Sequence, residues 1–269
     1  SYYTTNGFSV DQFMRKALAA VKSEKDKTIV KSIIHLFYQP WLENITNKFQ
    51  KLVEQDASIF TTQNAVAETE SFVLFVDAFR YELAEEFCKR LARYKLKVSL
   101  QAGWSAIPSL TPTAKPNVSP IATAISIQSG IAEFRPQLQN GKDLLTPIFR
   151  DALKTVDFKL VTNVNDIHGE GKYWQEIGDI DTKGHEEQAD MVKRIEELFD
   201  QVQEALDVAF ERGIKRIKIV TDHGWLLLPG GLPKTQLNAG LTETRWGRCA
   251  LIKEGATTDL LHLPWRWNP

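Results

Sequence analysis

Ser71-Phe-Val-Leu-Phe-Val76 ends in Asp77. An unbroken apolar run this short reads as a strand covered on both faces, the environment of a parallel sheet. A helix follows from about Glu82 to Tyr94, then a second strand over Lys97-Val-Ser-Leu100. Residues 101–120, rich in Pro, Ser and Thr, read as loop. Asp157–Thr162 is a third strand. His185–Arg212 is a long amphipathic helix, with Met191, Ile195, Leu198, Val202, Leu206 and Phe210 on one stripe. Arg216-Ile-Lys-Ile-Val-Thr221 is a fourth strand and runs into Asp222-His223. Strands alternating with helices predict an α/β fold, a mostly parallel sheet flanked by helices.

Residues 1–68 read as a helical lead-in. Val10, Phe13, Met14, Ala17, Leu18 and Val21 recur at helical spacing, as do Ile33, Ile34, Phe37, Trp41, Ile45 and Phe49. Pro40 is expected to kink or break that second run. The division expected is a helical appendage over 1–68 and an α/β domain over 69–269. Lys+Arg total 33 against 34 Asp+Glu, which excludes a body that grips nucleic acid by bulk charge. Cys88 and Cys249, the only cysteines, exclude a disulfide scaffold and a cysteine-built zinc site. No apolar run is long enough to span a bilayer, and a cytoplasmic setting is expected.

Two strands end in metal-capable residues: Asp77, and Asp222 with His223. Ligands of open α/β sheets bind outside the carboxyl ends of the strands, so these residues are expected at one rim. Each has a plainer alternative, Asp77 as a helix cap and Asp222-His-Gly224 as an ordinary turn. Asp181-Thr-Lys-Gly-His185 places a carboxylate and an imidazole four apart, on one face if helical. Carboxylate oxygen with imidazole nitrogen suits zinc, manganese or iron. Pro108-Ser-Leu-Thr-Pro-Thr113 supplies hydroxyls, which beside a divalent ion can attack phosphorus. His35 reads as a core or interface residue. Asp166 and His168 are an alternative ligand pair at a strand-like offset.

This order of motifs resembles the alkaline phosphatase superfamily, and within it the PglZ-type domain. The resemblance is carried by Phe75-Val-Asp-Ala-Phe-Arg-Tyr81, Ile107-Pro-Ser-Leu-Thr-Pro-Thr113, Thr221-Asp-His-Gly-Trp225 and Thr244-Arg-Trp-Gly-Arg-Cys249, and runs from about residue 70 onward. It implies a site for two divalent ions (zinc, manganese or magnesium). One would be held by Asp77, Asp222, His223 and the nucleophile hydroxyl, which by position is Thr111, with Ser109 as second choice. The other would be held by Asp181, His185 and a further His. Arg80, Arg245 and Arg248 are the candidate phosphate partners. The family's late His lies in a His-Gly-Gly motif downstream of a Trp-x-Trp-Asn-Pro-like stretch, and Trp265-Arg-Trp-Asn-Pro269 stands at that stretch. The expectation is an internal fragment whose core is incomplete at its C-terminal end, a third ligand beyond Pro269, a structural His262, and weak or absent activity of the fragment.

The resemblance further implies a metal-dependent phosphohydrolase of mono- or diesters, working with other proteins of a bacterial BREX-type phage-defence system. Two alternatives stand beside it: a non-catalytic assembly module that keeps the phosphatase fold, and a metal-dependent nuclease, with nucleic acid reached through the full-length protein.

Overall fold

The computed structural model describes residues 2–56, 72–94, 96–181, 188–229, 231, 236–247 and 249–269. They form two compact units, one of residues 1–47, 70–103 and 159–232, the other of residues 48–69, 104–158 and 233–269. The expected lead-in over 1–68 is thus shared between them.

The first unit is built on β1 (Phe72–Val76), β2 (Phe158–Val161), β3 (Lys172–Ile177) and β4 (Ile217–Val220), in the order β2-β3-β1-β4. β1 runs parallel to both of its neighbours. All five of its residues are buried, which is why its sequence is continuously apolar. The α/β class with a mostly parallel sheet and flanking helices is as expected. Helix α1 (Phe8–Ala20) and helix α2 (Glu24–Gln55) precede the sheet, and α3 (Tyr81–Leu91) follows β1. Two further helices, α4 (Thr111–Asn117) and α5 (Thr146–Thr155), lie in the second unit. The long helix before β4, α6, spans Ile195–Glu211.

α3 and α6 line one core cluster with the sheet. Leu83, Phe87 and Leu91 of α3 meet Leu198, Phe199, Val202 and Leu206 of α6 over Phe72, Leu74 and Val76. The Phe87 and Phe199 rings lie 5.4 Å apart. Burial of each such side chain stabilises the fold by about 1.5–3 kcal/mol. α1 and α2 join this unit through a second cluster in which Leu18, Ile34 and Tyr38 pack with Val192, Leu227 and Leu228.

The structure corrects three expectations and adds one strand. Lys97–Leu100 is not a strand. Val98 and Leu100 are each 37% exposed, and with Leu96 they line a shallow groove against Cys88 and Ala92. Pro40 does not end its helix, since α2 runs through it for 32 residues. Pro40 and Leu36 are both exposed, so water can take the Leu36 carbonyl that the missing N–H leaves. Residues 101–120 contain α4, because Pro112 falls in the first helical turn, where its absent N–H costs nothing. β3 was not foreseen. Its sequence, Lys-Tyr-Trp-Gln-Glu-Ile, is half polar, yet Tyr173 and Trp174 are buried against β1.

In the second unit α5 (Thr146–Thr155) buries Phe149 and Leu153, and β5 (Thr242–Arg245) with β6 (Ala250–Ile252) forms an antiparallel pair. The Trp-rich stretch docks on α4. Trp267 Nε1 donates to the Thr113 carbonyl at 3.0 Å, and Trp265 Nε1 to Thr113 Oγ1 at 3.2 Å. Both indoles are buried.

Candidate metal centre

The parallel register builds the site. Phe75 of β1 stands beside Val220 of β4, so the residues two further on, Asp77 and Asp222, leave the sheet side by side. The Asp77 N–H donates to the Ile177 carbonyl at 3.3 Å, which ties the end of β1 to β3. Past it the chain turns sharply. Ala78 takes φ +52°, a left-handed conformation that costs a residue with a Cβ about 1–2 kcal/mol. That turn is held by the other strand end: the Ala78 N–H donates to Asp222 Oδ1 at 3.3 Å, and the Phe79 N–H to Thr221 Oγ1 at 2.9 Å.

Asp222 and His223 are buried and Asp77 half-buried. One ligand atom from each lies within 4.8 Å of the others. Asp222 Oδ1 also accepts the His223 N–H at 2.9 Å, and Oδ2 stands 3.6 Å from His223 Nε2. The imidazole orientation is fixed by its other nitrogen, since Nδ1 lies 2.9 Å from the Gly224 carbonyl. A carbonyl only accepts, so Nδ1 carries a proton, which leaves Nε2, beside Asp222, as the nitrogen that would face an ion. Two ligands bound about 2.1 Å from one ion stand about 3–4 Å apart. The donor set, two carboxylates and one imidazole, therefore fits a divalent ion of the zinc or manganese kind with small side-chain adjustment.

Among the described residues no further His, Cys, Asp or Glu joins this cluster. Asp181 is half-buried in a helical turn beginning at Ile180, and among the described residues it does not join the cluster. His185 and Arg248 lie outside the described residues. Arg245 ends β5, with its backbone opposite Ala250. Thr111 opens α4 in the second unit, and it and Ser109 are half-buried. Asp166 is occupied locally: Oδ2 accepts the N–H groups of Thr162 and Asn163 at 2.7 and 2.8 Å. Those two bonds, with the Thr162 hydroxyl, hold its carboxyl below the usual range. His262 is exposed beside the Leu260 carbonyl, and His35 is half-buried against Gln39.

Arg80 is 7% exposed, and its guanidinium faces inward. Nη2 pairs with Asp11 Oδ2 at 2.6 Å, and the guanidinium carbon sits 4.8 Å above the Trp225 ring. Burial alone would lower its pKa, but the Asp11 carboxylate, with Tyr38 and Glu82, outweighs that and raises it. Arg15 of α1 lies beside this pair, 3.2 Å from the buried Glu82. No family model matches the chain, and no curated protein matches it.

Sequence reasoning missed Asp11, Thr221 and Trp225 as parts of this neighbourhood. Asp11 sits between Val10 and Phe13, where a carboxylate reads as part of a solvated face. Thr221 and Trp225 flank the Asp-His pair and were legible only as motif wording.

Proposed function

We propose that this protein is a metal-dependent phosphohydrolase of phosphate mono- or diesters. The observation that carries the reading is the convergence of Asp77, Asp222 and His223 at adjacent ends of parallel strands, with ligand atoms within 4.8 Å of one another. Carboxylate–imidazole sets of this kind hold ions that neutralise charge on phosphoryl oxygens and lower the pKa of a hydroxyl nucleophile. The chain's own residues take defined parts. Asp77 and Asp222 supply anionic ligands, and His223 supplies a neutral one whose tautomer the Gly224 carbonyl sets. Thr111 is the hydroxyl proposed to attack phosphorus, expelling the ester alcohol, and Asp181 and His185 are proposed for a second ion.

The motif order supports assigning the chain to PglZ-type proteins of the alkaline phosphatase superfamily. With that goes a cytoplasmic role beside partner proteins in a BREX-type phage-defence system. Among the described residues no helix is long and apolar enough to cross a membrane.

The test is hydrolysis of a chromogenic phosphodiester by the full-length protein with Mn²⁺, Zn²⁺ or Mg²⁺. Turnover that Thr111→Ala and Asp222→Ala abolish supports the reading. No turnover with any of the three ions contradicts it and favours an assembly module. Nicking of supercoiled plasmid would make the substrate a nucleic-acid diester.

A further inference from the structure

We infer that Asp11 and Arg80 are positioning residues for the Asp77–Asp222–His223 cluster, an inference that rests on the metal-site reading above. Arg80 closes the turn that carries Asp77 and is the N-cap of α3. Its side chain crosses to the other strand end. A Cβ built on Gly224 would stand 3.1 Å from Arg80 Cγ, so the glycine after His223 leaves the space that the arginine stem fills. The guanidinium then lies on Trp225, 4.8 Å from the ring centre, and pairs with Asp11 at 2.6 Å.

Asp11 is buried and fixed in its turn, since the hydroxyls of Tyr3 and Tyr38 both donate to it. One buried ion pair therefore joins three pieces of chain: α1, the turn after β1, and the turn after β4. Those two turns are the ones that carry the cluster. The turn after β1 needs such support. Ala78 is held left-handed, a conformation that persists only where the surroundings fix it. Groups one step removed from a metal site orient its ligands, and their loss typically weakens metal binding tenfold to a hundredfold. Asp11 and Arg80 act on those ligands through the two turns, by packing and charge.

The test uses Mn²⁺ titration of the whole chain, with hydrogen exchange of the Ala78 and Phe79 amides in metal-free protein. Asp11→Asn keeps the size of the side chain and removes its charge. It is expected to weaken Mn²⁺ binding by about tenfold to a hundredfold and to lower protection of both amides. Arg80→Lys, which keeps the charge and loses the planar fork, is expected to act the same way and serves if Asp11→Asn fails to fold. Leu206→Ala, a core truncation in the same unit, lowers the thermal midpoint but leaves Mn²⁺ affinity within about twofold. Asp11→Asn binding Mn²⁺ as tightly as wild type would overturn the inference. So would Leu206→Ala weakening it equally, which would make the effect one of general stability. If wild type binds no Mn²⁺, the site reading fails by itself. The exchange data still decide whether the ion pair holds the turn, since unchanged protection in both variants refutes it.

Discussion

Asp222→Asn is expected to make the metal-free protein more stable while removing its response to metal. Asp77 and Asp222 present ligand oxygens within 4.8 Å of each other. At an effective dielectric near 20, two unit charges at that distance repel by about 3 kcal/mol. Asparagine keeps the size of the side chain, and its amide oxygen can accept the Ala78 and His223 N–H bonds now made by Oδ1. The substitution therefore relieves most of the repulsion and leaves little unpaired. A gain of about 1–3 kcal/mol follows, or roughly 2–4 °C in Tm for each kcal/mol in a domain of this size. Wild type in Mn²⁺ at about one hundred times its Kd should gain about 2.7 kcal/mol, and the variant should gain far less. Thermal melts with and without Mn²⁺ at pH 8 read both effects. The order of stabilities should narrow or invert on adding metal. A variant less stable than wild type without metal, with equal Mn²⁺ shifts in both, would refute the reasoning.

Three further outcomes follow from the same structure. Burial, and then the Asp11 carboxylate, raise the pKa of Tyr38 above the usual tyrosine value. Its stabilising share is therefore complete below about pH 10 and is lost as pH rises from there, because only the unfolded chain ionises. Tyr38→Phe should cost about 1.5–3 kcal/mol at pH 8 and flatten the alkaline limb of a stability–pH curve, with Tyr3 keeping the rest of the slope. Thr113→Val should cost about 1–3 kcal/mol in urea unfolding, since it strands the Phe134 carbonyl and the Trp265 indole N–H that Thr113 Oγ1 now pairs. Pro40→Ala should stabilise by about 1–2 kcal/mol in the same assay, because alanine restores a helical N–H inside α2 at some cost in unfolded-chain entropy.

The sheet was legible where burial is one-sided in its demands. Phe72–Val76 is apolar throughout because both of its faces are covered, and Asp77 is the first polar residue after that run, while Asp222 follows the Ile217–Val220 strand after Thr221. β3 was hidden because Gln175 and Glu176 interrupt the run that Tyr173 and Trp174 begin. α4 was hidden because Pro112 and Pro116 signal loop, although a first-turn proline suits a helix start. Val98 and Leu100 misled in the opposite sense: they alternate as a strand would, yet they stay partly exposed outside the sheet. For the site, the pairing of Asp77 with Asp222 and His223 was readable from equivalent strand ends. The ion pair behind it was not. Asp11 and Arg15 recur four apart on α1, a pattern that reads as a solvated face, and the packing of α1 against α3 and α2 buries them. Nor does anything in the sequence place Arg80, a candidate phosphate partner, beside Asp11.

The most direct test is the anomalous difference map of a crystal soaked in Mn²⁺. The account predicts a peak about 2.1–2.3 Å from one carboxylate oxygen each of Asp77 and Asp222 and from His223 Nε2, absent in Asp222→Asn. No peak there, or one that persists in that variant, would contradict it.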